Sequence, residues 1–577
     1  MIGDRPTRID ARPAAPGIAL ARWTELRRSE LPAPGRIDPG EAAAEVARLR
    51  AAANDAALEL MALSDRVADA GHEAESAIFA AHAAMAWDPA LIGAAVTANE
   101  AGSDAIGAIQ GAGKTTAASL AAVADELIRA RSADVLDVCD RIARRLAGLP
   151  ADENLLPEPA IVAAEDLAPS MTATLPRERL LGIALEAGSA TAHAAILARA
   201  YGIPAIVGAT GLLAMLRLAG PDVELAIDGT TGEAIIDPDA DDRARFDALA
   251  AGLEAARTRD LDEAALDAVT TDGTAVTLLA NIGSPDEAAS AVALGARGVG
   301  LFRTEFLFLE RSQPPSEDEQ TDAYRRAVEA FGGDPVTIRL LDIGGDKPIP
   351  YLPMPAEDNP FLGVRALRLA ATRPELFVTQ LRACYRAATA GPVKVMAPMI
   401  ADAGDAATLL ALADEARQGL IRDGVAMRDV TLGAMLEIPS AVLSADGWFD
   451  RIGFASLGTN DLLQYALAVD RGNPALERYR DSMHPALLRL IRMAVEAATK
   501  AGIELSVCGE MAGDPAAALA LVGLGIRSLS MSAPSLAAVR RSIRANGLAT
   551  LNDAAADALA ATSAAQARAR FAPLVAG

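Results

Sequence analysis

The chain has 577 residues, 51% of them hydrophobic and 23% charged, and its 53 Lys plus Arg against 77 Asp plus Glu give a formal net charge of −24. At roughly 150 residues per domain the length predicts about four domains, and the apolar share excludes intrinsic disorder over most of them. The acidic balance argues against a nucleic-acid binder, which needs a basic footprint to displace counterions, and it suits partners with basic docking faces.

In chain order, Met1 to Trp23 carries Asp4, Arg5, Arg8, Asp10 and Arg12, so it lacks the apolar core of a signal peptide. No stretch reaches the ~18 uncharged apolar residues of a membrane span. The expectation is a soluble, cytoplasmic protein without membrane insertion. An extended patch, Ala15-Pro16-Gly17-Ile18-Ala19-Leu20, is followed by Pro32, Pro34, Gly35 and Pro39. From Gly40 to Gly148 the chain is Ala-rich, and apolar residues such as Val135, Val138, Cys139, Ile142 and Leu146 return at helical spacing, which predicts a bundle of about four helices.

Between Leu155 and Asp237 the pattern changes to short β-branched runs separated by Gly, among them Ala160–Ala163, Leu180–Leu185, Ala205–Gly208 and Val223–Ile227. This predicts a compact α/β unit that the extended segment at residues 1–24 joins, with the bundle inserted into it. Asp239 to Asp267 is polar and helical without a clear core face, as in a linker helix. Eight strand-like runs then alternate with helical patterns: Val276–Ala280, Gly298–Phe302, Val336–Leu341, Val393–Ala397, Thr431–Leu436, Phe454–Leu457, Glu504–Val507 and Arg527–Ser530. That rhythm fits a TIM barrel, whose chemistry sits at strand C-terminal ends; periodicity alone leaves a doubly wound open sheet as an alternative. The residues after these strands are Asn281, Arg303, Asp342, Pro398, Glu437, Gly458, Cys508 and Met531.

Gly111-Ala112-Gly113-Lys114-Thr115-Thr116 resembles the end of a phosphate-binding loop, but the required Gly five residues before Gly113 is Ala108, and no strand precedes it. The three cysteines, Cys139, Cys384 and Cys508, are too few and too scattered for a disulfide framework or a zinc cluster, and they suit a reducing compartment. Of the four histidines, His72 and His82 fall in the bundle and His484 before Pro485. His193 stands apart, in Gly188-Ser189-Ala190-Thr191-Ala192-His193-Ala194-Ala195. Small residues leave room for close approach, a helix starting near Thr191 directs N–H groups at an anion, and an imidazole there can attack phosphorus. The alternative is a helix-start histidine with no role. Arg303, Arg339, Arg365 and Arg471 can clamp a phosphate and a carboxylate, while Glu437 and Asp461 are hard oxygen ligands suited to Mg²⁺. For each taken singly, the alternative is a surface ion pair.

These segments together resemble the phosphoenolpyruvate-utilising enzymes, in the branch of enzyme I of the bacterial sugar phosphotransferase system. The resemblance rests on the His193 segment, on Gly300-Leu301-Phe302-Arg303-Thr304-Glu305, and on Leu341-Asp342-Ile343-Gly344-Gly345-Asp346-Lys347. It extends to Asn359-Pro360 with Gly363 and Arg365, Ser456-Leu457-Gly458-Thr459-Asn460-Asp461 ending at Arg471, and Cys508-Gly509-Glu510-Met511. Ser189, Gly453 and Ala455 depart from the usual pattern. The implied fold is multidomain α/β: a swivelling phosphohistidine domain (1–24 plus 149–238), an inserted helical carrier-binding bundle (25–148), a linker helix (239–268), and a TIM (β/α)8 barrel (269–577) that binds phosphoenolpyruvate and dimerises. The resemblance implies Mg²⁺ on Glu437 and Asp461, and substrate held by Arg303, Arg339, Arg365, Lys347, Asn460 and Arg471. It further implies His193 as phosphoryl acceptor, Cys508 as proton donor to the enolate, and a small HPr-like phosphocarrier docking near the helix that contains His82. Pyruvate-phosphate dikinases and phosphoenolpyruvate synthases share the histidine domain and barrel but need an ATP-binding domain, for which about 180 residues before the signature leave no room. Nitrogen-related and dihydroxyacetone-kinase relays carry added domains not seen here. A catalytically dead scaffold would have lost one of His193, Glu437, Asp461 or Cys508, and all four are present.

Overall fold

The structure, a computed structural model, describes residues 6–26, 31–38, 40–69, 73–121, 126–149, 156, 158–167, 175–187, 195, 198–199, 202–309, 313–344, 349, 351–352, 354–355, 357–470 and 473–576; at 67–69, 73–78, 121, 126–130, 474–475 and 477 only the backbone is described. The chain divides into two compact units, Met1–Arg257 and Thr258–Gly577.

In the first unit, β1 (Thr7–Asp10), β2 (Arg12–Ala15) and β3 (Ile18–Glu25) precede five helices, α1 (Ala42–Asp69), α2 (Glu73–Ala86), α3 (Pro89–Glu100), α4 (Ala105–Ala121) and α5 (Glu126–Leu146). Then come β4 (Ala160–Ala164), β5 (Leu180–Leu185), β6 (Ala205–Val207), α6 (Leu212–Ala219), β7 (Glu224–Asp228), β8 (Glu233–Ile236) and α7 (Ala240–Asp262). The eight strands form one sheet in the order β1-β8-β7-β3-β4-β5-β6-β2. β3 lies parallel to β4 with Trp23 opposite Ile161, so strands on either side of the helices in sequence are neighbours in the sheet. β4 is buried along its whole length, as a strand covered on both faces must be, and this explains its unbroken apolar run.

The helices bury Leu49, Leu60, Phe79, Leu91, Ile109, Val138 and Ile142 in a core of their own, filled out by alanines. The described residues hold five helices where about four were expected, and Asp88 caps α3 with Pro89 in its first turn, dividing one apolar run in two. The joined stretch Phe79–Glu100 has a mean hydropathy of 1.2 and the length to cross a membrane; a third of it is buried, with Phe79, Ala83, Ala86, Leu91 and Ala95 in the bundle core. The Gly111–Thr116 stretch lies wholly within α4, so it is no phosphate loop. A Cβ at Gly113 would stand 2.6 Å from Cys139 Sγ, and glycine is there to let α4 close on α5. His82 is fully buried between α2 and α5, its Nε2 3.4 Å from Asp134 Oδ1 and its Nδ1 3.9 Å from Asp137 Oδ2.

Helix α7 has buried residues only at Asp242 and Phe246. Phe246 packs on Ala226 and Ile235 of the sheet; the last turn of the helix, from Thr258 on, belongs to the second unit, where Asp260 pairs with Arg541.

The second unit opens with β9 (Ala268–Val269), antiparallel to β10 (Ala275–Ile282). β11 (Val299–Phe302), β12 (Val336–Arg339), β13 (Val393–Ala397), β14 (Thr431–Leu436), β15 (Phe454–Leu457), β16 (Glu504–Val507) and β17 (Ser528–Met531) follow, each parallel to its predecessor. Because β10 also pairs with β17, the sheet closes, and the open-sheet alternative is excluded. Leu301, Met396, Met435, Phe454 and Cys508 pack together as a small core separate from the main barrel core.

Candidate active site

A cavity of about 630 Å³ opens among the C-terminal ends of the barrel strands. Its lining includes Arg303, Arg339, Asp342, Glu437, Asn460, Asp461 and Cys508. Six of these seven, all but Asp342, are predicted site residues. Arg303, Arg339, Glu437 and Cys508 stand at the end of a strand or directly after it, Asp342 three residues past β12, and Asn460 and Asp461 in the first turn of the helix Thr459–Leu467.

Carboxylates and guanidiniums interlock on one side. Arg365 donates from Nη2 to both oxygens of Asp342, at 2.9 and 2.8 Å, and from Nε at 3.1 Å. Its Nη2 lies 3.9 Å from Asp461 Oδ2. Arg339 donates from Nη2 to Glu305 Oε1 at 2.5 Å and approaches Asp342 Oδ2 at 3.4 Å. Burial works against the charge on both arginines, and the neighbouring carboxylates more than offset it, holding both pKa values above the usual guanidinium range. Two of the expected substrate clamps are thus engaged with the protein itself.

Glu437, 1% exposed, accepts from the Met399 N–H at 2.6 Å. Met399 holds φ at +58°, a strained value for a residue with a side chain, in the turn that aims this N–H. Burial pushes the Glu437 carboxyl up to about 8, helped by the negative charges of Asp342 and Asp461, despite Arg339 and the Met399 N–H. Buried carboxylates that repel one another in this way fit a hard divalent cation. Among the described residues no group of three or more His, Cys, Asp or Glu stands ready as a complete ligand set. Mg²⁺ commonly takes only one or two protein carboxylates, with substrate oxygens completing the shell, so the pair Glu437 and Asp461 suits it.

Cys508 is 2% exposed, and its Sγ lies 3.6 Å from Leu457 O. Burial raises its thiol to about 11, against the opposing influence of Ser456 and Arg339. At neutral pH it is a protonated thiol, a donor rather than a nucleophile. Asn281 fixes the backbone there, donating from Nδ2 to Cys508 O at 3.0 Å while its Oδ1 accepts from Ser530 Oγ at 2.6 Å. Asn460 accepts at Oδ1 from the Glu510 N–H at 3.1 Å.

His193, Lys347 and Arg471 lie outside the described residues. The structure brings together Arg303, Arg339, Asn460, Asp461, Glu437 and Cys508 on one wall system, with Arg365 directly behind. Sequence reasoning missed the supports. Gln380, fully buried in the helix Pro374–Ala387, accepts from the Leu341 N–H and donates to Thr304 Oγ1 and Tyr324 OH, joining three segments beneath the cavity. Tyr465 donates to Phe361 O at 2.6 Å and holds the loop before Arg365. Neither has a local sequence signal. Gly344 does: at φ +101°, with Val364 O 2.5 Å from where a Cβ would stand, it lets the Arg365 strand approach.

Comparison with known proteins shows three matches along the chain: residues 257–547 to the PEP-binding domain of PEP-utilising enzymes, 156–232 to their mobile domain, and 10–131 to their N-terminal domain. The phosphoenolpyruvate-protein phosphotransferase of Streptomyces coelicolor is 43% identical over 563 residues, covering 96% of each chain. That of Geobacillus stearothermophilus is 39% identical over 536 residues, covering 92% of each. The multiphosphoryl transfer protein of Rhodobacter capsulatus is 41% identical over 556 residues, which are 96% of this chain and 66% of that one.

Proposed function

The chain belongs to the PEP-utilising enzymes, and from that premise we propose that it transfers the phosphoryl group of phosphoenolpyruvate to its own His193 and then to a histidine of a small HPr-like phosphocarrier. This is phosphoenolpyruvate-protein phosphotransferase chemistry, the first step of sugar uptake by the phosphotransferase system. The observation that carries it is the convergence of Arg303, Glu437, Asn460, Asp461 and a protonated Cys508 on one cavity at the barrel mouth.

In this reading Arg303, Arg339, Arg365, Asn460, Lys347 and Arg471 hold the substrate phosphate and carboxylate. The imidazole of His193 attacks phosphorus in line, so an N–P bond forms as the ester P–O bond breaks and the enolate of pyruvate leaves. The Cys508 thiol gives its proton to C3 of that enolate. Positioning and charge neutralisation do most of the work in such transfers. Glu437 and Asp461 would hold the divalent cation, Mg²⁺, which when bound neutralises charge on the phosphoryl oxygens.

The working parts are residues 1–24 plus 149–238 as the swivelling phosphohistidine domain, 25–148 as the carrier-binding bundle, 239–268 as the linker, and 269–577 as the substrate-binding and dimerising barrel. A cytoplasmic homodimer completes the picture. The test is transfer from ³²P-labelled phosphoenolpyruvate, with Mg²⁺ and no nucleotide, to wild type and His193→Ala. Acid-labile label on wild type alone, matched by pyruvate release, is the expected result; an unlabelled wild type refutes the function.

A further inference from the structure

The guanidiniums around the barrel cavity fall into two kinds. Arg339 and Arg365 are ion-paired within the protein, Arg339 to Glu305 and Arg365 to Asp342. The guanidiniums of Arg303 and Arg480, both exposed residues of the cavity lining, make no hydrogen bond or ion pair among the described residues. For Arg303 a substrate role is already part of the function above. Arg480 has none.

Its lack of a partner has a structural cause. The nearby carboxylates of Asp481 and Asp514 are both taken by Arg568, from the helix Ala564–Phe571, which donates from Nη2 to Asp481 Oδ1 at 2.8 Å and from Nη1 to Asp514. Asp481 Oδ1 also accepts from the Met483 N–H at 2.9 Å, pinning the segment immediately after Arg480. Glu510, an exposed carboxylate of the lining, engages the wall through its backbone N–H and holds no ion pair among the described residues. Arg568 thus engages the carboxylate that follows Arg480 in sequence and the Asp514 carboxylate of the lining.

We propose that Arg480 is a phosphoryl-binding residue of this cavity, closing its planar fork on the phosphate ester at the mouth. The orientation follows from the buried thiol. The carbon chain of the substrate must reach Cys508, 2% exposed, so the phosphoryl end faces the rim, where an exposed guanidinium meets it. This inference rests on the cavity binding phosphoenolpyruvate.

Calorimetry with the full-length protein and Mg²⁺ tests it, using phosphoglycolate, which carries a phosphate and a carboxylate, and oxalate, which carries carboxylates only. Arg480→Gln is expected to weaken phosphoglycolate about ten- to hundredfold, as loss of a charged hydrogen-bonding pair does, and to leave oxalate unchanged. Arg480→Lys falls between, and KM for phosphoenolpyruvate rises more than kcat falls. Unchanged oxalate binding also certifies that the variant is folded. Equal losses for both ligands, or none for phosphoglycolate, overturn the inference while wild-type binding keeps the cavity assignment. A wild type that binds no phosphoglycolate overturns both.

Discussion

Arg365 and Asp342 stand face to face with three hydrogen bonds between them, and each side chain keeps only 2% of its surface exposed. Asp342 lies 3.4 Å from Arg339 as well, so one carboxylate orders two guanidiniums of the cavity. Asp342→Ala strands a buried cation and should cost about 3–5 kcal/mol, whereas Asp342→Asn keeps hydrogen-bond acceptors and should cost less. Urea midpoints of the two variants provide the check; equal, small losses would mean that the pair contributes little to barrel stability.

The two glycines of the failed phosphate-loop motif should respond oppositely to the same change. No atom lies within 4 Å of a Cβ at Gly111, so Gly111→Ala gains helix propensity, up to about 1 kcal/mol. At Gly113 the new methyl meets Cys139 Sγ, and overpacking should cost about 1–3 kcal/mol. Thermal melts of the pair decide it, and a stabilised Gly113→Ala would show that α4 and α5 separate freely.

All three thiols are buried, and burial raises each pKa: Cys139 to about 12 with help from Asp140, Cys508 to about 11, and Cys384 upward by desolvation alone. The native protein should therefore be inert to Ellman's reagent at pH 7.5 and release three thiols in urea. Cys508→Ala should still form phosphohistidine but protonate the enolate without facial preference, seen by chiral-methyl analysis of the pyruvate. A thiol that reacts quickly at pH 7.5 would contradict this account of Cys508.

Glu437 gives a pH signature. Its folded-state carboxyl sits at about 8, above the ordinary 4.5, so between those values the folded chain binds a proton that the unfolded chain has lost. Stability of the metal-free protein thus falls as pH rises through that interval. Glu437→Gln should remove this part of the slope, and excess Mg²⁺ should offset it by favouring the ionised pair. Urea titrations from pH 5 to 8.5, with chelator or with Mg²⁺, are the measurement; identical slopes for wild type and Glu437→Gln would refute the assignment.

The barrel was readable because parallel strands covered on both faces leave largely apolar runs, such as Thr431–Leu436, which ends at Glu437. Glu437 and Cys508 are proposed for the site on that ground, each directly following a strand. Gln380 is not, since a polar residue buried in mid-helix looks like any exposed one until the fold turns it inward. The pairing of Arg339 with Glu305 and of Arg365 with Asp342 was equally invisible, because it joins residues far apart in sequence. The division at Asp88, where an N-cap and Pro89 start a new helix, was not placed from periodicity.

Parallel neighbours such as β3 and β4 always require a connection that crosses over the sheet, and a single helix usually suffices. Here residues 26–159 make that connection and carry a core that shares no residue with the cores on either side of the sheet. Closure entropy grows only with the logarithm of length, so widening a dozen-residue crossover to this size costs the sheet about 2 kcal/mol. The bundle is in effect a cassette: it can diverge, or be exchanged for another, without altering one strand pairing beneath it. Choice of recipient and capacity for transfer can then evolve on separate clocks within a single polypeptide.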